Sequence, residues 1–153
     1  MERFQIVTSH TVNSNLSTIS YFRKSELPKS SFRNSICQGT KFFDAVLHEA
    51  DFTGCDLTGA DFKGADISRA IFKDAILMNC SFDHANLHGV NFLGARMEGA
   101  ILGYASCDET IMTHADLLTC TISILIFFRH RNIITNTSIF IRFEHFQALN
   151  SER

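Results

Sequence analysis

The chain has 153 residues, 45% of them hydrophobic and 20% charged, with a formal net charge of −2. That is enough apolar material for one domain with a real core, and too little net charge to argue by itself for a nucleic-acid or membrane partner. Fifteen Phe beside no Trp and a single Pro is an unusual composition, and much of it traces to a repeat.

The first twenty-nine residues show no repeat phase and no apolar stretch after the basic residue, so a secretory signal is not expected and a cytoplasmic start is. Pro28 falls just before the first repeat and is read as a boundary. Residues 1–29 are expected either to cover the N-terminal end of the core or to be a mobile tail.

From residue 30 to 124 one five-residue pattern is written nineteen times, easily seen in the run ADFTG CDLTG ADFKG ADISR AIFKD AILMN from Ala50 onward. The large apolar centre of each pentad recurs every five residues from Phe32, through Phe52, Leu57, Phe62, Ile67 and Phe72, to Ile122. Two residues before each centre stands a small side chain, most often Ala, and between the two lies a residue that is often Asp or Asn. A short repeat in unbroken register is the signature of a solenoid.

Period five fits neither a helix, which needs apolar spacings of three and four, nor a long alternating strand. It fits a three-residue strand followed by a corner. The small residue and the centre then face inward while Asp or Asn faces water. Seven of the eight glycines (39, 54, 59, 64, 89, 94, 99) fall at the last position of a pentad. There a type II turn needs a positive φ that Gly adopts without steric penalty.

The run resembles the pentapeptide-repeat family, whose motif reads A-(D/N)-(L/F)-x-x. That resemblance covers about two thirds of the chain and implies an all-β fold, a right-handed quadrilateral β-helix with four pentads per coil. Residues twenty apart would then stack, placing Phe32, Phe52, Phe72 and Phe92 in one column, Phe42, Phe62 and Phe82 in the column opposite, and Leu57, Leu77 and Leu47, Leu87 on the other two faces. Nineteen pentads make roughly five coils, a shaft on the order of 23 Å long at about 4.8 Å per strand. Residues 30–124 carry twelve acidic and six basic side chains, whereas each flank carries a net +2.

All five cysteines occupy inward positions, their number is odd, and no Cys-x-x-Cys occurs, so they read as small buried hydrophobes in a reducing compartment. His48, His84, His88 and His114 lie at outward turn positions. His48 and His88 share a column two coils apart, roughly 10 Å, too far to share a metal ion. No metal or cofactor site is expected.

Beyond Cys120 the pattern dissolves into an Ile- and Phe-rich tail with no Gly or Pro, whose longest apolar run is far short of a membrane span. Residues 125–153 are expected to be a folded cap, a dimerisation segment or a degenerate extension. An uncovered last coil would expose apolar cross-section and strand edges, so docking of this tail is expected, in a monomer or across a two-fold as a homodimer.

No phosphate loop, nucleophile elbow or paired Cys and His is present, so an enzyme is not expected. Asp51, Asp56, Asp61 and Asp66 should ring one coil on all four faces, and in the next coil Ile71 and Ile76 replace two of them. These six residues are the candidate partner surface. The expected function is a non-catalytic protein-binding scaffold, without direct nucleic-acid binding. The family resemblance adds two alternatives: a duplex mimic that binds a type II topoisomerase such as gyrase, and a bacterial secreted effector or a piece of a larger repeat protein.

Overall fold

A computed structural model describes residues 21–117 and 119–122, and in it the chain coils with a step of twenty residues. Parallel bridges join Ser31 to Asp51, Asp51 to Ile71, Ile71 to Asn91 and Asn91 to Ile111, and the other three sides keep the same step. Each side is so short that most pairings are single bridges. The two-residue strands β1 (Ile101–Leu102) and β2 (Thr121–Ile122) pair in parallel, Ile101 with Thr121. Four sides and four corners per coil give the quadrilateral β-helix that the family resemblance implies.

The backbone is satisfied by the neighbouring coil. Phe52 N–H donates to the Ile71 carbonyl at 2.7 Å, Ile71 N–H to Ala50 at 2.9 Å and Gly54 N–H to Lys73 at 3.0 Å, while Cys55 N–H closes the corner on Phe52 at 3.0 Å. This is the accounting a buried backbone requires. The residue before each small site, from Lys24 to Thr119, has φ between 55° and 71°, with Tyr104 the exception among the described residues. A closing bond from the fourth residue to the first, with positive φ at the third, marks a type II turn.

Inside, every described pentad centre from Leu27 to Leu117 is buried, the Phe rings completely from Phe32 to Phe92. Phe32, Phe52 and Phe72 stack at 4.6 and 4.7 Å, nearly parallel, and Phe42 and Phe62 stack likewise at 4.8 Å on the opposite side. The two columns interlock edge to face, Phe52 on Phe62 at 5.7 Å and Phe62 on Phe72 at 5.6 Å. Both geometries are those that ring quadrupoles favour, so the square core is filled by aromatic pairs in two directions.

The coil begins earlier than the expected boundary at residue 30. Tyr21 already bridges Lys41 and Glu26 bridges Val46, and Phe22 stacks on Phe42 at 5.2 Å. The phase was hidden because Tyr21 and Glu26 stand where later pentads carry Asp or Asn, and Lys24 and Lys29 take the left-handed corners (φ 56° and 58°) that Gly takes later. Pro28 is a corner residue rather than a boundary: it occupies the second position of the turn closed by Ser30 N–H on Leu27 at 3.4 Å, where its fixed φ is favourable. A cap in residues 1–20 and all expectations for residues 125–153 lie outside the described residues.

The corners yield a test. A Cβ on Gly59 would meet nothing within 4 Å, whereas one on Gly54 would collide with Asn34 Oδ1 in the coil before. Both Gly59→Ala and Gly54→Ala are expected to cost about 1–2 kcal/mol for a left-handed Ala, with Gly54→Ala the worse because Asn34 must swing away. In thermal melts on an Asn34→Ala background the two should become equal. A Gly59→Ala variant less stable than Gly54→Ala would contradict this corner packing.

Candidate functional site

Asp51, Asp56, Asp61 and Asp66 occupy the middle of the four sides of one coil, as expected, but their carboxylates do more than face water. Each turns back on its own corner, its Oδ1 accepting the N–H two residues on: Thr53 at 2.9 Å, Thr58 at 3.1 Å, Lys63 at 3.0 Å and Ser68 at 3.1 Å. Asn86 and Asn91 do the same for His88 and Leu93. These are Asx turns, and they explain why Asp and Asn alternate at this position: both carry an Oδ1 that accepts the bond. The signal available in the sequence was the fixed offset of this residue ahead of a corner.

Further partners come from the coil before. Arg33 pairs with Asp51 at 2.6 Å, and Gln38 Nε2 donates to Asp56 at 2.7 Å. Partial burial acts to raise the Asp51 pKa, but bonds from Thr53 and Arg33 outweigh it and hold the carboxyl below its ordinary value. Burial is likewise outweighed at Asp56 by Gln38 and Thr58, and at Asp83 by Lys63 and His84. A depressed folded pKa stabilises above the unfolded value and loses that contribution as pH falls through the folded one. The contribution of these three groups should therefore be full and constant between pH 7 and about 5.5, and Tm should fall as pH drops below the ordinary 3.8. Replacing all three by Asn should flatten that acid limb in a pH series of thermal melts.

Ile71 stacks between Asp51 and Asn91, and Ile76 between Asp56 and Arg96. Ile71 is 38% exposed and Ile76 is half-buried. They lie on adjacent sides of one corner. Asp61 and Asp66 lie on the other two sides, so the six predicted residues are not brought to one place.

His48 and His88 line a shallow concavity of about 300 Å³ together with Glu49, Ser68, Arg69 and Asn86. Ser68 and Arg69 belong to the coil between the two imidazoles, and His88 meets Glu109 at 3.7 Å. Among the described residues no three metal-ligating side chains come together. The five cysteines are free and buried. Burial pushes the Cys80, Cys107 and Cys120 thiols up to about 12, so they stay protonated, and Cys80 and Cys120 donate to the carbonyls of Leu57 and Met97. All five fill space inside the shaft, as expected of small buried hydrophobes, and Cys80 and Cys120 close backbone bonds besides. Among the described residues no helix is long and apolar enough to cross a membrane.

A description of pentapeptide repeats matches residues 45–83 and 80–118, with eight copies. Among solved structures, a pentapeptide repeat protein of the Arabidopsis thaliana thylakoid lumen superposes with a TM-score of 0.72 at 27% identity, covering 75% of this chain and 80% of that one. HetL, a pentapeptide repeat protein of the cyanobacterium Nostoc involved in heterocyst differentiation regulation, matches over 67% of this chain and 65% of its own at 19% identity, with a TM-score of 0.47. No curated protein sequence matches.

Proposed function

The chain belongs to the pentapeptide-repeat family, and we propose that it is a non-catalytic scaffold: a right-handed shaft of roughly five coils that binds another protein through its side walls. The observation that carries this reading is the use of the acidic ring. Four carboxylates that would be the natural acid and base groups are each committed to a corner N–H, on four different sides of a convex shaft. Groups facing apart cannot converge on a substrate atom. The same walls offer a flat surface with exposed β-branched residues, and the contact we assign to it is the corner flanked by Asp51, Asp56, Ile71 and Ile76. The five buried thiols suit a reducing cytoplasm.

The duplex-mimic alternative needs acidic side chains repeated along a side. Instead Asp51 is followed by Ile71 and Asn91, and Asp56 by Ile76 and Arg96. The test is a pull-down from cell lysate with the full-length chain as bait, scored with and without added gyrase. A partner retained by the parent and lost by Ile71→Glu with Ile76→Glu supports the scaffold reading. Capture of no protein overturns it, and inhibition of gyrase supercoiling by the purified chain at low salt would favour the mimic.

A further inference from the structure

Diagonally opposite the Ile71 and Ile76 corner, a second surface of different chemistry runs the length of the shaft. Residues Tyr21, Lys41, Asp61, Ser81 and Ile101 stack along one side, and the corner that follows it is built from Arg23, Phe43 and Lys63 in successive coils. The corner backbones are tied in that order, Lys24 N–H to the Phe43 carbonyl at 3.2 Å and Asp44 N–H to Lys63 at 2.9 Å. Side-chain contacts run along this corner in two groups: the Arg23 guanidinium lies 4.2 Å over the Phe43 ring, and further on Lys63 meets Asp83 at 3.1 Å, His84 meets Asp83 at 3.0 Å, and the His84 ring lies tilted against Tyr104 at 4.8 Å.

Three features set this ridge apart. Tyr21 and Tyr104, 70% and 66% exposed, are the most exposed large apolar side chains among the described residues, and they are the only two tyrosines in a chain without Trp. Basic groups gather here as well: Arg23, Lys24, Lys41 and Lys63 outnumber Asp44, Asp61 and Asp83, whereas residues 21–122 as a whole hold thirteen acidic and nine basic side chains. Finally, Tyr104 is the corner residue whose backbone leaves the left-handed region. It follows Gly103, where a Cβ would stand 2.7 Å from Asp83 Oδ1, so a side chain there would disturb the carboxylate that holds Lys63 and His84.

We propose that this ridge is a docking site for an acidic, extended polypeptide segment of the partner, with carboxylates against Arg23, Lys41 and Lys63 and apolar side chains against Tyr21, Phe43 and Tyr104. Aromatic and Arg side chains are the groups in which binding energy concentrates, and charge complementarity on an otherwise acidic shaft selects the sign of the partner. From Tyr21 to Ile101 the ridge spans four coil steps, about 19 Å, the length of about six extended residues. This inference rests on the scaffold reading and names the partner's chemistry.

The two tyrosines make the ridge its own reporter. A twelve-residue peptide of alternating glutamate and leucine, added to the full-length chain at low salt, is expected to change the tyrosine emission saturably. Arg23→Glu with Lys41→Glu should weaken that response at least tenfold, and Tyr104→Ala, followed through Tyr21, should weaken it severalfold while leaving Tm nearly unchanged. No saturable response, an equal response to a lysine and leucine peptide, a stronger response to a twelve-nucleotide oligo(dT), or unchanged affinity in the variants would each overturn the proposal. The lysate pull-down separates the two levels. Partners kept by Arg23→Glu and Tyr104→Ala but lost by Ile71→Glu would overturn the ridge and leave the scaffold standing, and a bait that captures nothing would overturn the scaffold itself.

Discussion

Phe72→Ala is expected to lower the stability of the full-length protein by about 3–5 kcal/mol. Phe72 is fully buried, and its ring lies 4.7 Å from Phe52, 5.3 Å from Phe92, 5.6 Å from Phe62 and 6.0 Å from Phe82. Removing it takes away burial and opens a cavity between two columns that are fixed from above and below, so the neighbours have little room to relax. Phe43→Ala is the control. That ring is half-buried at a corner under Arg23, and its loss should cost about 1 kcal/mol or less. Chemical denaturation of the three proteins measures both, and equal stability of Phe72→Ala and parent would remove the inward assignment of the centres.

The second large effect separates two uses of the acidic ring. Replacing Asp51, Asp56, Asp61 and Asp66 together by Ala deletes four carboxylate bonds to corner N–H groups, at about 1 kcal/mol each, so a loss of about 3–5 kcal/mol is expected. Replacing the same four by Asn keeps an Oδ1 acceptor at each corner and should lose about 1 kcal/mol or less. The exposed Arg33 pair adds little to either figure. If the Ala and Asn sets melt alike, the carboxylates do not hold the corners. If only the Ala set is weakened while both sets lose the partner in a pull-down, the ring serves binding as well as folding.

The core could be read from the sequence because each pentad writes its inward pair explicitly, a small residue and a large one two positions apart in unbroken phase. Stacking at twenty residues then follows, and Phe52 over Phe72 is its direct expression. The start of the coil was not legible for a physical reason. The inward positions at Phe22, Ser25 and Leu27 obey the rule, but the outward and corner positions, Tyr21, Lys24, Glu26 and Lys29, lack the Asp and Gly that make the pattern visible. A Lys can hold a left-handed corner when the surrounding coil fixes it, and nothing in its side chain announces that. The candidate site was legible in position and not in role: Asp51 and its three equivalents were placed outward correctly, yet the bond each makes to its own corner depends on a side-chain torsion. The ridge from Arg23 to Tyr104 was missed because its first members sit in the segment whose phase was hidden.

Both surfaces exist only if the register is twenty, since Asp51 and Asp56 stack on Ile71 and Ile76 beside one corner, and Arg23, Phe43 and Lys63 line another, only at that step. The deciding measurement is therefore the register in solution, from nuclear Overhauser contacts in the isotope-labelled full-length protein. The Phe52 ring should contact the rings of Phe32 and Phe72, the backbone of Ile71 should meet those of Asp51 and Asn91, and Tyr21 should meet Lys41. Ring contacts of Phe52 at steps of fifteen or twenty-five residues, or a segment 21–29 without contacts to 41–49, would contradict it.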